Sequence, residues 1–380
     1  MHVLISGASI TGPALAWWLN RFGIAATIVE KAKAPVPGGH AVDVRGAAMD
    51  VLRAMGLEQA AAARRTTMKG MSILDAAGTE VWRSDEMTLS GGSFGKDTIE
   101  ILRDDISDVL VSALPDAVER IYGDSVTALD TQADGVVVSF VKAADRKFDV
   151  VVAADGMGSN LRKLVFGPDR EFLHPFNVAL APFSAPNTLG IADWQVQYRD
   201  GADNCLIYTA RGNRELRVCF GFAATPDEVA GDRASQIALV RERCRHLGWK
   251  VPEFLDAMEA SPDFYLGAIA QVKMPGWTRG RVALCGDAGY CPSPYTGQGT
   301  SLALVGAYVL AQELARAPDD IAAAFARYES RIRPFVEKNQ AIAELTWDER
   351  FADPAYYGEV VEPAMDAAVG AIDLELREPA

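Results

Sequence analysis

The stretch His2-Val3-Leu4-Ile5-Ser6-Gly7-Ala8-Ser9-Ile10-Thr11-Gly12, followed by a mostly apolar run over 13–22, a second over 25–29 and then Glu30, decides the fold. Residues 2–6 read as a buried strand, 7–12 as a glycine turn, 13–22 as a helix and 25–29 as a second strand. Such a unit sets a helix N-terminus, with unpaired N–H groups and a positive dipole end, beside the turn where a pyrophosphate binds. Glu30 stands 18 positions after Gly12, near the ~20-residue spacing at which a carboxylate reaches a ribose hydroxyl. Ser9 replaces the middle glycine. Alone the unit indicates a nucleotide, against the competing reading of ordinary turn chemistry.

Composition narrows the class. At 380 residues the chain exceeds the size at which one hydrophobic core usually stops growing, so two domains are expected. A formal net charge of −14 argues against binding a nucleic-acid backbone, which depends on clustered Lys and Arg. The five cysteines form no CxxC pair, and the four histidines have no metal-ligand spacing; reduced thiols, a cytoplasmic location and no metal are expected. No Lys or Arg precedes the first apolar stretch, and Gly7, Gly12 and Pro13 interrupt it, against a secretory signal. Residues 301–310 are too short an apolar run to span a membrane and read as a buried helix.

Along the chain, 35–46 (PVPGGHAVDVRG) reads as a Pro/Gly-rich loop leading into a helix over 47–55. Strands are expected at 71–74, 80–82, 98–102 and near 118–122, 124–130 and 135–141, with a helix over 104–113. The very apolar run 150–154 suits a strand buried on both faces of a parallel sheet. From about 172 to 222 the pattern changes to period-two alternation with turns between, as in Trp194-Gln195-Val196-Gln197-Tyr198, which suggests an antiparallel sheet. A helix is expected over 227–247, parallel-sheet character returns at 281–285, and the tail after 331 is helical.

Two further motifs carry chemistry. Ala154-Asp155-Gly156-Met157-Gly158-Ser159-Asn160-Leu161-Arg162 follows the buried strand; Ser159 is placed to cap a helix and Arg162 lies one turn in. Gly280-Arg281-Val282-Ala283-Leu284-Cys285-Gly286-Asp287-Ala288 ends a strand at an aspartate. The loop Pro292-Ser293-Pro294-Tyr295-Thr296-Gly297-Gln298-Gly299-Thr300 then delivers backbone amides into a second helix N-terminus, a second anion site.

In this order the three motifs resemble those of the FAD-dependent aromatic hydroxylases with the para-hydroxybenzoate hydroxylase fold. The likeness is greatest to the short two-domain branch that includes tetracycline-inactivating and polyketide-tailoring monooxygenases. It covers nearly the whole chain. The fold it implies is α/β: a Rossmann-like FAD-binding domain, an inserted mixed or antiparallel β-sheet substrate domain and a C-terminal helix. The boundaries drawn are 1–70, 97–170 and 268–330 for the discontinuous FAD-binding domain, 71–96 and 171–267 for the substrate sheet, and 331–380 for the helical tail.

By position, the resemblance implies that Gly7, Ser9, Ile10, Thr11 and Gly12 line the FAD pyrophosphate, with Glu30 and Lys31 at the adenosine ribose. Asp43 and Arg45 match the loop that runs past the isoalloxazine, and Arg103 an arginine that contacts the cofactor. Asp155 and Gly156 match the DG motif, implicated in FAD and NADPH contacts. Gly286 and Asp287 match the GD motif that binds the ribityl chain, and Pro294, Gly297, Gln298, Gly299 and Thr300 the loop facing the flavin N1–C2=O edge. Strand alternation and loose positional similarity make Gln195, Gln197, Tyr208, Arg217, Cys219, Pro294 and Tyr295 the candidates to line a substrate. This chain departs from the family in three places. Ser9 is one, Gly289-Tyr290 stand where many relatives have Ala-His, and no Trp-x-Trp-x-x-Pro signature of flavin halogenases is present.

The activity implied is hydroxylation of an aromatic or polycyclic small molecule with NAD(P)H and O2 through a flavin C4a-hydroperoxide, in a monomer with no catalytic acid or base of its own. NADPH, or NADH, would bind transiently, since no second glycine fingerprint exists. Two other readings stand beside it: a flavin protein that sequesters a ligand with little turnover, and a nicotinamide dehydrogenase without flavin.

Overall fold

A computed structural model describes residues 1–89, 92–93, 97–346 and 354–376. Strand His2–Ser6, helix Thr11–Arg21 and strand Ala25–Glu30 form in sequence. They start a six-stranded sheet in the spatial order 278–279, 282–284, 150–153, 2–6, 25–30, 119–122, parallel except at 278–279. Val150, Val151, Val152 and Ala153 are all fully buried, as a β-branched run covered on both faces must be. Helix Gly299–Arg316 lies against the first helix, with Trp18 and Tyr308 in edge contact at 4.7 Å. Its buried Glu313 collects Arg316 at 2.9 Å, Arg327 at 2.6 Å and Arg331 at 2.5 Å, which pins the following helix Ile321–Thr346.

The second sheet has seven strands in the order 267–272, 173–186, 215–223, 203–210, 195–200, 71–74, 80–84. It is antiparallel except where 195–200 meets 71–74. One face is apolar: Ala181, Phe183, Val196, Tyr198, Cys205, Ile207, Leu216, Val218 and Phe220 pack under helices Arg233–Cys244 and Val251–Ala260. The other face carries Gln195, Tyr208 and Arg217, and Tyr208 meets Ala41 and Leu102 there.

The element types of the sequence reading hold with several revisions. The loop 35–46 ends in a strand, Ala41–Arg45, which pairs antiparallel with Thr98–Leu102; the alternation Val42-Asp43-Val44-Arg45 is a period-two signal that the flanking Pro and Gly masked. The helix over 227–247 is broken at Ala230-Gly231-Asp232, where Gly231 has φ +140° and Asp232 caps the second segment. Helix Val251–Ala260 was not anticipated. The sheet also reaches past residue 267, where the inserted segment was drawn to end, because strand Gly267–Val272 pairs with Leu173–Pro186.

Candidate cofactor and substrate site

The three motifs meet at their glycines. Gly7 has φ +111°, and a β-carbon there would lie 2.3 Å from the Ala154 carbonyl oxygen. A β-carbon at Gly12 would lie 1.9 Å from the Gly7 oxygen, and one at Gly286, φ +64°, 2.3 Å from Thr11 Oγ1. Only glycine allows backbones to approach this closely. The N-terminal turn, the strand end before Asp155 and the Gly286-Asp287 corner therefore form one cluster.

Two uncapped helix N-termini belong to it. Neither Ile10, before Thr11–Arg21, nor Gln298, before Gly299–Arg316, gives a side-chain cap, and neither first turn carries an acid. Their amides and dipoles are left to act on an anion. Gln298 is fully buried, yet neither its Oε1 nor its Nε2 has a partner among the described residues, and Asp43 Oδ1 has none either. Unpaired buried polar atoms are costly in a native interior unless a ligand completes them. Asp43 Oδ2 lies 3.6 Å from where a β-carbon of Gly297 would stand, and Asp287 Oδ1 3.9 Å from one at Gly299. Asp43, Asp287, Gln298 and the start of the long helix thus face one space. Its donors and acceptors fit a flavin edge and its ribityl chain.

Burial shapes the two carboxylates. Asp43 pairs with Arg45 at 2.9 Å. Desolvation nevertheless dominates, aided by Glu100 across the strand pair, and moves its pKa to about 7. Asp287 keeps part of its surface open, but desolvation still pushes it to about 6.

Other expected cofactor residues are placed with more definite partners. Glu30 accepts the Ala8 amide at 2.9 Å and the Ala32 amide at 2.8 Å, one on each oxygen, so it braces the turn. Arg103 donates to Ser9 Oγ at 3.1 Å, so the serine that replaces glycine anchors an arginine. Lys31 is exposed. Gly156, φ +83°, opens the DG turn. Asp155 accepts from Ser159 Oγ and from the Asn160 and Leu161 amides at 2.9 and 3.2 Å. Oδ2 takes both helix amides of Asn160–Val165, while Oδ1 holds the hydroxyl of Ser159, the N-cap, which itself accepts the Arg162 amide. The residue that sequence reasoning left as a helix position is Arg162. It is fully buried, donates to the carbonyls of Met157 and of Ala288 (the latter at 2.8 Å), and pairs with Asp169 at 2.6 Å. It ties the DG segment to the corner after Asp287. The Ser–x–x–Arg spacing carried that signal, but its partner was not visible in the sequence.

The substrate candidates share one face. Register places Gln195 opposite Tyr208 and Tyr208 opposite Arg217; the next row runs Gln197, Leu206, Cys219. All point away from the apolar face, as alternation requires. Several already have protein partners. Gln195 Oε1 accepts the Leu89 amide at 2.7 Å, and Gln197 Oε1 accepts from Arg199 at 2.6 Å. Arg217 pairs with Asp263 at 2.9 Å and Glu215 at 3.0 Å. Tyr295 sits half-buried with its ring 5.5 Å from Phe176, and Pro294 beside it is exposed.

Residues 1–342 match the model of the FAD binding domain family. An uncharacterized protein of Mycobacterium tuberculosis (strain ATCC 25618 / H37Rv) is 43% identical over 339 residues, 89% of this chain and 91% of that one. A flavin-dependent monooxygenase from an unknown prokaryotic organism is 38% identical over 371 residues, 97% and 95% of the two chains. The crystal structure of tetracycline destructase Tet(55) superposes with a TM-score of 0.88 at 37% identity, covering 99% of this chain and 98% of that one. The chain belongs to the FAD binding domain family. Within it, this protein is an FAD-dependent monooxygenase, which removes the reading as a flavin-free dehydrogenase. Among the described residues no helix is long and apolar enough to cross a membrane.

Proposed function

We propose that this enzyme hydroxylates a polycyclic phenol or enol, of the tetracycline or polyketide type, with NADPH or NADH as a transiently bound reductant and O2 as oxidant. The observation that carries the proposal is the likeness, at a TM-score of 0.88 over 99% of this chain, to a tetracycline destructase; the row Gln195, Tyr208, Arg217 is buried and bonded within the protein and would shape the site from behind. A flat substrate would sit against Pro294 and the half-buried Tyr295, with Gln197 and Cys219 near it, beside the space faced by Asp43, Asp287 and Gln298. The structural likeness to a tetracycline destructase supports the substrate class.

FAD, when bound, supplies the reduction of O2 and the transfer of one oxygen atom. The residues that would hold it are Gly7, Ser9, Ile10, Thr11 and Gly12 at the pyrophosphate, Glu30 at the ribose, Arg103 through Ser9, and Asp287 with 297–300 at the ribityl and ring edge. The N-terminus of helix Gly299–Arg316 would favour negative charge on a ring bound beside it, by up to ~2 kcal/mol where partly buried. Oriented amides in a dry site act without reorganising. Gly156 and Asp155 keep the DG turn in shape for the reductant to approach. The chain is proposed to act as a monomer, and in the cytoplasm, where its five free, buried cysteines would stay reduced.

The test is NADPH oxidation by the purified flavoprotein with and without tetracycline and a panel of polycyclic phenols. Stimulated oxidation with a product heavier by one oxygen atom is expected. Absence of stimulation and of oxygen insertion across the panel would favour a ligand-sequestering flavoprotein.

A further inference from the structure

The polar row reaches the segment before Asp43 and Arg45 at one hydroxyl. Tyr208 is fully buried; its oxygen accepts the Ala41 amide at 2.6 Å and lies 3.1 Å from His40 Nδ1. That oxygen thus joins the Ala41 amide and the His40 ring. Burial first, then the charge of Arg217, lowers the His40 pKa to about 4, so the ring is neutral near neutral pH.

The same short segment is gripped from the opposite side. The Arg103 amide donates to the His40 carbonyl at 3.0 Å, and its guanidinium to the Gly38 carbonyl at 3.3 Å and to Ser9 Oγ at 3.1 Å. Asp104 accepts the Gly38 amide at 2.9 Å. Asp263, held by Arg217, fills the space over Gly38, where a β-carbon would come within 2.5 Å of its Oδ2. Residues 38–41 are thus clamped between the pyrophosphate turn and the substrate sheet, and they lead directly into the strand Ala41–Arg45.

We propose that Tyr208 is a positioning residue for the flavin. Through its bonds to Ala41 and His40 it fixes, from the substrate sheet, the strand that carries Asp43 and Arg45 past the cofactor. The proposal rests on the placement of the flavin beside that strand, but not on the identity of the substrate. Its hydroxyl and its ring have separable duties. The ring packs with Leu102, Ala210, Ala41 and Met68, and Phe preserves that contact.

The experiment compares wild type, Tyr208→Phe and His40→Ala. In the FAD-free protein, hydrogen exchange of 38–45 is expected to rise several-fold in Tyr208→Phe and less in His40→Ala, with the sheet strands 203–210 and 215–223 unchanged. In the holoenzyme, Tyr208→Phe is expected to shift the visible bands of oxidised flavin and to change kcat more than KM for NADPH. Unchanged exchange at 38–45 would overturn the proposal. So would raised exchange with an unaltered flavin spectrum, which would leave Tyr208 a merely structural residue. If His40→Ala alone fails to fold, the Tyr208→Phe results decide. Failure of tetracycline to stimulate any of the three proteins would count against the substrate class alone.

Discussion

Gly286 packs on Thr11 so closely that a single methyl group at 286 would come within 2.3 Å of the threonine hydroxyl. The corner that opens the last motif of the chain is therefore seated on the first turn of the fingerprint helix. That contact brings two distant nucleotide-type motifs into one cluster.

Gly286→Ala tests the contact. The residue stands at φ +64°, ψ −144°, a region that costs a side chain ~1–3 kcal/mol even without a clash. Thermal unfolding should fall by several degrees, and FAD content after purification should drop sharply. An alanine variant with wild-type melting and full flavin would show that the two motifs are not in contact.

Arg162→Met probes the tie between the DG segment and the Asp287 corner. The substitution keeps the bulk but leaves Asp169 without its buried partner and two carbonyls without donors. Asp169 is partly exposed and keeps Lys163 at 3.1 Å, so the loss is chiefly that of the buried carbonyls left unmet, ~1–3 kcal/mol each. Urea denaturation should register that loss, and FAD should bind more weakly because Ala288 is released.

Asp43 offers a pH-dependent signature in the FAD-free protein. Its folded pKa of about 7 lies above the ordinary carboxylate value of 3.8. Between those values the folded state holds a proton that the unfolded state has lost, so this group makes stability fall as pH rises from about 4 to 7. Asp43→Asn removes that contribution. The stability of the variant relative to wild type should climb across this window and level off above it. A relative stability that does not change with pH would show that the carboxyl is not desolvated.

Glu30→Gln is expected to affect the turn more than a solvent-exposed ribose contact would. Each carboxylate oxygen accepts a backbone amide, and an amide side chain can replace only one acceptor. The unmet N–H costs ~1–3 kcal/mol. Equilibrium unfolding of FAD-free protein should show this loss; a change seen only in FAD affinity would assign Glu30 to the ribose alone.

Much of this site was legible in the sequence because its parts are local. The fingerprint strand, turn and helix, the capping by Ser159 and the uncapped helix start at Gly299 each follow from neighbouring residues. Alternation likewise put Gln195, Gln197, Tyr208, Arg217 and Cys219 on one face. The partners were not legible, because they come from far along the chain. Arg217 meets Asp263, Tyr208 meets Ala41, Arg162 meets the Ala288 carbonyl, and Asp155 turns its carboxylate back onto its own helix. The strand Ala41–Arg45 was hidden for a different reason: its stability comes from pairing with Thr98–Leu102, not from its Pro/Gly-flanked local sequence.

The most direct test of a single shared cofactor site is equilibrium titration of FAD-free protein with FAD, followed by flavin fluorescence, for wild type and Asp287→Ala. One FAD per chain is expected for wild type. Loss of a charge-assisted hydrogen bond worth roughly 1.5–3 kcal/mol should weaken binding by about 10- to 150-fold in the variant. Equal affinity in the two proteins would contradict the assignment of the Gly286-Asp287 corner to the flavin.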